Sequence, residues 1–227
     1  MIKLLIWDID GTLITVKRAG RMAMEEAFFN MFNVENAFEH ISMSGRLDSM
    51  IFRDAVNYHK CADLRELSVE PAFYKLYGGI LKNLLGDSIR GEIFPGIPQI
   101  LEKTHEKDDI INSIGTGNCS IGSQIKLGSL GLNSFFKYGA YGEEFFERGK
   151  LIKGAIEKVE KSIQTELLPE NIYVIGDTVH DINAARYAGV KAIAVSTGSE
   201  SSDILEQMKP DYLFEDFSDY EKLLSVF

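Results

Sequence analysis

The sequence predicts an α/β protein: a doubly wound parallel sheet with a small all-helical subdomain inserted after its first strand. Three observations lead there. The chain opens on an apolar run, Ile2 and then Leu4-Leu5-Ile6-Trp7, which suits a strand buried on both faces in the middle of a parallel sheet. From Ile97 onward, short apolar runs alternate with helical stretches, the pattern of parallel strands joined by right-handed crossovers. Between Leu13 and Phe94 no convincing strand pattern occurs, so an insert of about 70–80 residues, large enough for a subdomain, follows the first strand. The predicted division is a core of residues 1–14 and 92–227 and a helical unit of residues 15–91.

Taken in order, the first strand ends in Asp8-Ile9-Asp10-Gly11-Thr12. Two like charges this close are costly to bury unless something positive sits between them. Gly11 permits a tight turn, and Thr12 adds a hydroxyl and a backbone N–H. The reading is an acidic site for a divalent cation and a reacting group, at the strand edge where open α/β sheets bind ligands. Helices are then expected over Arg18–Phe32, Asp48–His59 and Leu64–Leu85, the last broken near Pro71 and Gly78-Gly79. Beyond Phe94-Pro95-Gly96, helices are expected at Pro98–His105, Ser120–Leu130, Lys150–Gln164, Asp181–Ala188, Asp203–Met208 and Tyr220–Phe227. They alternate with strands at Asp109–Ser113, Lys137–Tyr141, Asn171–Ile175, Lys191–Val195 and Tyr212–Phe214.

Composition narrows the partners. The 227 residues can bury a full core, and 45% hydrophobic with 26% charged residues is ordinary for a globular chain. A net charge of −10 argues against nucleic acid or an anionic membrane as partner, since both need a basic stripe. It leaves room for an anionic substrate, because a bound cation reverses the local potential. Two scattered cysteines, Cys61 and Cys119, make neither a disulfide scaffold nor a zinc site, which points to a reducing, cytoplasmic interior. No apolar run approaches the ~20 residues of a membrane span. The N-terminal run is interrupted by Asp8 and lacks a small-residue cleavage site, so it reads as a strand and not a secretion signal. A monomer or homodimer is the default assembly.

Three further features carry chemistry. Thr116-Gly117-Asn118 places a hydroxyl, a glycine and an amide before a helix N-terminus, where backbone N–H groups and the helix dipole receive phosphate. Gly176-Asp177-Thr178-Val179-His180-Asp181 puts Asp177 at a strand tip and Asp181 one helical turn later, so both can face a point suited to an octahedral Mg²⁺. A basic group must offset these carboxylates and the substrate; the candidates are Lys126, Arg148 and Lys150.

Together these residues resemble the haloacid dehalogenase superfamily of hydrolases. Asp8-Ile9-Asp10-Gly11-Thr12 is similar to its first motif, Thr116-Gly117 to its second, and Gly176-Asp177 through Asp181 to its fourth. The run from Asp181 to Gly189 and the place of the helical insert resemble the phosphoglycolate-phosphatase-like branch, whose mobile cap lies between the first and second motifs. The resemblance covers essentially the whole chain. It implies a Rossmann-like core with a helical cap. The third motif lacks its usual Lys-Pro pair; similar members carry Lys-Leu at the place of Lys126-Leu127 and an arginine near Arg148, which ranks Lys126 first and Arg148 second.

The resemblance also implies roles. Asp8 is the nucleophile that forms an aspartyl-phosphate, and Asp10 the general acid and base. Mg²⁺ is held by the Asp8 carboxylate, the Asp10 carbonyl and Asp177, with Asp181 bound directly or through water. Thr116, Gly117, Asn118, Gly11, Thr12 and the basic residue position the phosphoryl group of a small phosphorylated metabolite. Arg46, in a cap turn of the form Gly-x-x-Asp from Gly45 to Asp48, is a candidate for a substrate carboxylate or second phosphate. Asp10 argues against dehalogenase chemistry, which dispenses with that carboxylate and with metal. A phosphonate-cleaving relative would need a cap lysine near Lys17, a phosphomutase would use the same core, and a binding protein could retain it without turnover.

Overall fold

The computed structural model describes residues 1–63, 68–87 and 91–227. The first strand, β1, runs over Lys3–Trp7. It is followed by β2 (Ile14–Thr15), the helices α1 (Ala19–Phe32), α2 (Asp48–His59) and α3 (Val69–Asp87), and β3 (Glu92–Ile93). The alternating part comprises α4 (Ile97–His105), β4 (Ile110–Gly115), α5 (Ser120–Ser129), β5 (Tyr138–Ala140), α6 (Arg148–Ile163) and β6 (Ile172–Gly176). It closes with α7 (Val179–Ala188), β7 (Lys191–Val195), α8 (Ser202–Gln207), β8 (Tyr212–Phe214) and α9 (Tyr220–Leu224). Six strands form one parallel sheet in the order β5-β4-β1-β6-β7-β8. Counted along the chain, these six strands lie in the order 3-2-1-4-5-6, the doubly wound arrangement whose direction reverses at the first strand.

β1 is buried on both faces, as its continuous apolar run requires. Leu4 and Ile6 join a cluster with Leu151, Ile152, Ile182 and Ala185 from α6 and α7. Leu5 and Trp7 join another with Ile97 and Ile100 of α4 and Leu223 of α9. One polar chain crosses this second face. The Trp7 indole donates to Asn112 Oδ1 at 2.9 Å, Asn112 Nδ2 donates to Thr104 Oγ1 at 2.8 Å, and the Thr104 hydroxyl returns to the Ile100 carbonyl. Each buried polar group there is matched, so the strand tolerates an asparagine at its centre.

In register, Trp7 stands opposite Ile114 on β4 and Ile175 on β6. The three strands therefore end together, and the residues just past them emerge at one edge of the sheet.

Between the first and second strands of the sheet, α1, α2 and α3 gather around aromatic rings. Phe52 stacks on Phe73 with centroids 4.5 Å apart, and Phe28 meets Phe38 edge-on at 5.3 Å. Their buried cluster is continuous with the Trp7 face of the sheet.

Two expectations need correcting here. Strands do occur between Leu13 and Phe94: β2 and β3 pair antiparallel, Ile14 opposite Ile93 and Thr15 opposite Glu92, where the chain leaves and rejoins the sheet. Two residues per strand are too few to show a period. The third helix is unbroken at Pro71 and at Gly78-Gly79. Pro71 falls in its first turn, where a backbone N–H has no helical acceptor to lose. Gly78 lets α3 press on α5, since a Cβ there would lie 2.6 Å from Ile121 Cδ1. The expected start of that helix, Leu64, lies outside the described residues. Among the described residues, no helix is long and apolar enough to cross a membrane.

Candidate active site

The ends of β1, β4 and β6 and the start of α6 converge on one set of carboxylates and two buried cations. Asp8, just past β1, is tied to the neighbouring strand by its N–H, which donates to the Ile175 carbonyl at 2.9 Å. Its Oδ1 lies 2.9 Å from Arg148 Nη2. Arg148, the first residue of α6, also grips Asp181 Oδ1 through Nε at 3.0 Å and Nη2 at 2.6 Å. Its Nη1 donates to the Gly45 carbonyl at 3.3 Å. Asp181 closes a capping box at the start of α7: its Oδ2 accepts from the Thr178 N–H and hydroxyl. Both Asp181 oxygens are thus engaged by protein groups.

Asp177 sits between two close backbones. A Cβ on Gly11, whose φ is +84°, would lie 2.4 Å from Asp177 Oδ2, and one on Gly198 would lie 1.6 Å from it. A side chain at either place would push the Asp177 carboxylate aside. Thr12 donates to Asp177 Oδ1 at 3.2 Å. Carboxylate oxygens of Asp8, Asp177 and Asp181 all lie within 4.8 Å of one another, and all three residues are buried. Burial pushes Asp177 up to about 8, with Asp8 and Asp181 adding their repulsion. Burial likewise lifts Asp8 to about 6; Arg148 opposes the shift, while Asp181 and Asp10 add to it. Three buried carboxylates face one guanidinium, a surplus of negative charge that fits a cation site.

The second cation serves the second aspartate. Lys126, buried on α5, lies 2.5 Å from Asp10 Oδ2 and donates to Asn118 Oδ1 at 2.6 Å. Asn118 Nδ2 reaches the same Asp10 oxygen at 2.7 Å. Burial by itself lowers Lys126, yet Asp10 and Asp48 outweigh it and hold the ammonium above its usual range. Asp10 is the most open member, its side chain 40% exposed. A cavity of about 510 Å³ opens over Asp8, Asp10, Thr116 and Gly117 and extends to Arg21, Met24 and Tyr77 on the helical side.

The structure thus joins Asp8, Asp10, Gly11, Thr116, Gly117, Asn118, Lys126, Arg148, Asp177 and Asp181 at one edge of the sheet. The two ranked cations serve different carboxylates. Arg148, ranked second, bonds Asp8, whereas Lys126 bonds Asp10. Lys150 points elsewhere, exposed and paired with Glu147 at 2.6 Å. Thr12 is fully buried against Asp177 and stays off the cavity wall, so its hydroxyl serves a carboxylate and not a substrate. Arg46 lines the cavity, but its guanidinium is held by Asp54 Oδ2 at 2.6 Å and the Ser42 carbonyl at 3.1 Å. Lys17 is exposed and paired with Glu92 at 3.1 Å. His180 is exposed, against Gly45. Sequence reasoning missed Gly198 and gave Asp48 no role. Asp48 is buried at the start of α2; its Oδ2 accepts from the Cys119 N–H at 2.8 Å, and burial pushes it up to about 6.

With this geometry in place, likeness to known proteins becomes informative. The HAD-hydrolase-like family model matches residues 147–220, from the residue before Arg148 to the last helix. The phosphoglycolate phosphatase of Agrobacterium fabrum is 24% identical over 231 residues, spanning 98% of this chain and 94% of that protein. The chain resembles the haloacid dehalogenase-like hydrolases. The pyrophosphatase PpaX of Bacillus mycoides shares 35% identity over a shorter stretch of 75 residues, 33% of this chain and 35% of that one. The fold recurs in the crystal structure of a predicted phosphoglycolate phosphatase from Haemophilus somnus 129PT, with a TM-score of 0.71, 21% identity and 98% of both chains covered.

Proposed function

We propose that this hydrolase releases inorganic phosphate from a small phosphorylated metabolite, with Mg²⁺ as cofactor and an aspartyl-phosphate on Asp8 as intermediate. The observation that carries this reading is the pairing of Asp8 with Arg148 at the mouth of a cavity, beside a buried surplus of carboxylate. Asp8 and Asp177 would hold the cation, with the Asp10 carbonyl as the family resemblance implies. Asp181, whose oxygens are already spent on Arg148 and Thr178, would act through water. When bound, Mg²⁺ would neutralise the paired anions and offset charge on the transferring group.

The chain's own residues divide the work. An Asp8 oxygen attacks phosphorus, and the bond from phosphorus to the leaving oxygen breaks. Asp10 gives that oxygen its proton. Water then attacks the phosphorus of the aspartyl-phosphate, Asp10 takes the proton, and the bond to Asp8 breaks to free phosphate. Arg148 steadies the charge of the phosphoryl group next to Asp8. Lys126 and Asn118 grip Asp10 through Oδ2 and leave its other oxygen for proton transfer. Thr116 and Gly117 receive the phosphoryl oxygens, while Asn118, its donors engaged by Asp10 and Thr116, holds the loop and Asp10 in place. We take residues 15–91 as the cap that covers the cavity and selects the substrate, in a monomeric or homodimeric cytoplasmic enzyme.

A panel of phosphorylated metabolites and an aryl phosphate, assayed with Mg²⁺ and with chelator, tests the proposal. Phosphate release in Mg²⁺ alone is expected. Release in excess chelator, or none from any compound in Mg²⁺, would overturn it.

A further inference from the structure

The segment Ser44–Ser49, leading into and starting α2, lies across the loops that build the site. Ser44 Oγ is 2.8 Å from Ser199 Oγ, and the Gly45 carbonyl takes Arg148 Nη1 at 3.3 Å. The Ser49 hydroxyl donates to the Gly142 carbonyl at 2.6 Å. Asp48 makes the closest connection. Its N–H donates to the Gly117 carbonyl at 2.8 Å, and its Oδ2 accepts from the Cys119 N–H at 2.8 Å. One residue of the helical insert therefore grips two successive peptide groups of the Thr116–Cys119 loop.

We propose that Asp48 is a positioning residue, coupling the seating of the helical insert to the shape of the loop that receives the phosphoryl group. A trans peptide points its carbonyl and its following N–H in opposite directions. Holding the Gly117 carbonyl on Asp48 turns the Asn118 N–H the other way, onto Thr116 Oγ1 at 3.2 Å. The Asn118 carbonyl is held in turn by the Gly142 N–H at 2.8 Å. These backbones are in direct contact. A Cβ on Gly117 would lie 2.3 Å from the Arg46 carbonyl oxygen, and one on Gly142 would lie 1.9 Å from the Gly117 oxygen. The loop and the segment Arg46–Asp48 are therefore packed backbone against backbone. The neighbouring N–H, that of Ser120, is held by Glu143 of the same core at 2.8 Å, so Asp48 supplies the link that depends on the insert. Asp48 lines the cavity and its charge bears on Lys126, while its hydrogen bonds act on the loop through Gly117 and Cys119.

The inference rests on the proposed phosphatase reading, and the test separates the two. In the full chain, Asp48→Ala, Asp48→Asn and Asp48→Glu are compared by hydrogen exchange of the peptide spanning Thr116–Ser123. The same variants are compared by kcat and KM on an aryl phosphate and by inhibition with inorganic phosphate. Asp48→Ala is expected to exchange faster there, lose roughly tenfold or more in kcat and bind inorganic phosphate more weakly. Asp48→Asn keeps an acceptor oxygen in place and should recover to within a few-fold. Asp48→Glu keeps the charge but shifts the acceptor by a methylene; it should resemble Asp48→Ala and serves if the alanine variant does not fold. Folded Asp48→Ala or Asp48→Glu protein with wild-type exchange and kcat overturns the inference. A wild-type protein without phosphatase activity overturns the function reading instead, and the exchange comparison still decides the role of Asp48.

Discussion

Arg148 Nη2 lies 2.9 Å from Asp8 Oδ1 and 2.6 Å from Asp181 Oδ1, so one guanidinium joins the tip of β1 to the first turn of α7. Burial opposes its charge, but Asp181 and Asp8 more than offset that and hold it above the ordinary arginine range. Removing it leaves two buried carboxylates face to face. Arg148→Ala should reduce kcat about 10²–10³-fold, the usual cost of losing a preorganised charge contact. Arg148→Lys should recover little, because an ammonium cannot span both carboxylates as a planar fork does. Steady-state kinetics on folded variants check this; near-wild-type kcat in either would place the key cation elsewhere.

The buried carboxylates set a pH dependence with a definite sign. Burial raises Asp8 to about 6 and Asp177 to about 8, from the ordinary aspartate value of 3.8. Each prefers its proton in the folded chain, so its contribution to stability is full below the unfolded value and fades as pH rises through the folded one. In chelator, the melting temperature should fall between pH 5 and pH 8.5 more than in an Asp177→Asn variant. Mg²⁺ competes with those protons, so the stabilisation it gives should grow over the same range. Mg²⁺ stabilisation that is flat with pH would contradict the assignment of these carboxylates as cation ligands.

Gly198 offers a substitution outside the motifs. Its Cβ would collide with Asp177 Oδ2 at 1.6 Å, and its φ lies outside the left-handed region. Gly198→Ala should fold yet displace Asp177, raising the Mg²⁺ concentration needed for half-maximal activity by about tenfold or more. Gly131→Ala is the control: φ is +75° with nothing within 4 Å, so it should cost about 1 kcal/mol of stability and leave the Mg²⁺ requirement alone. Equal Mg²⁺ requirements in the two variants would sink this account of the Asp177 cradle.

Much of this was legible because it depends on short-range pattern. The run into Asp8-x-Asp10 announces a buried strand with a reactive end, and the alternation after Ile97 announces the sheet. What escaped depends on which distant residues meet. Lys126 and Arg148 are both basic residues on helices flanking the site, and nothing in their local sequence says which reaches Asp8. Gly198 lies far along the chain from Gly11, and their shared contact with Asp177 exists only once β1, β6 and β7 align. Asp48 looks like an acidic residue opening a helix, which is ordinary; its buried bond to Cys119 arises from how the insert folds back.

Asp10 separates the two halves of the proposed reaction. An alkyl phosphate needs a proton at its leaving oxygen, whereas an aryl phosphate needs little help. Asp10→Asn should slow phosphorylation with the first substrate. With the second it should slow dephosphorylation, giving a burst of phenol before slow turnover. General acid–base help of roughly 10²–10⁴-fold makes both effects measurable. A folded variant that turns over both substrates normally would remove Asp10 from the mechanism.

The central claim is that the phosphoryl group passes through Asp8. The most direct measurement quenches the Asp10→Asn protein in acid during the burst with aryl phosphate and Mg²⁺, treats it with borohydride and maps the peptides by mass. An acyl phosphate is reduced by borohydride, so residue 8 should be recovered as homoserine, and the Asp8→Asn protein, folded and given the same substrate, should show neither burst nor turnover. An unmodified Asp8, together with wild-type phosphate release by Asp8→Asn, would contradict the account.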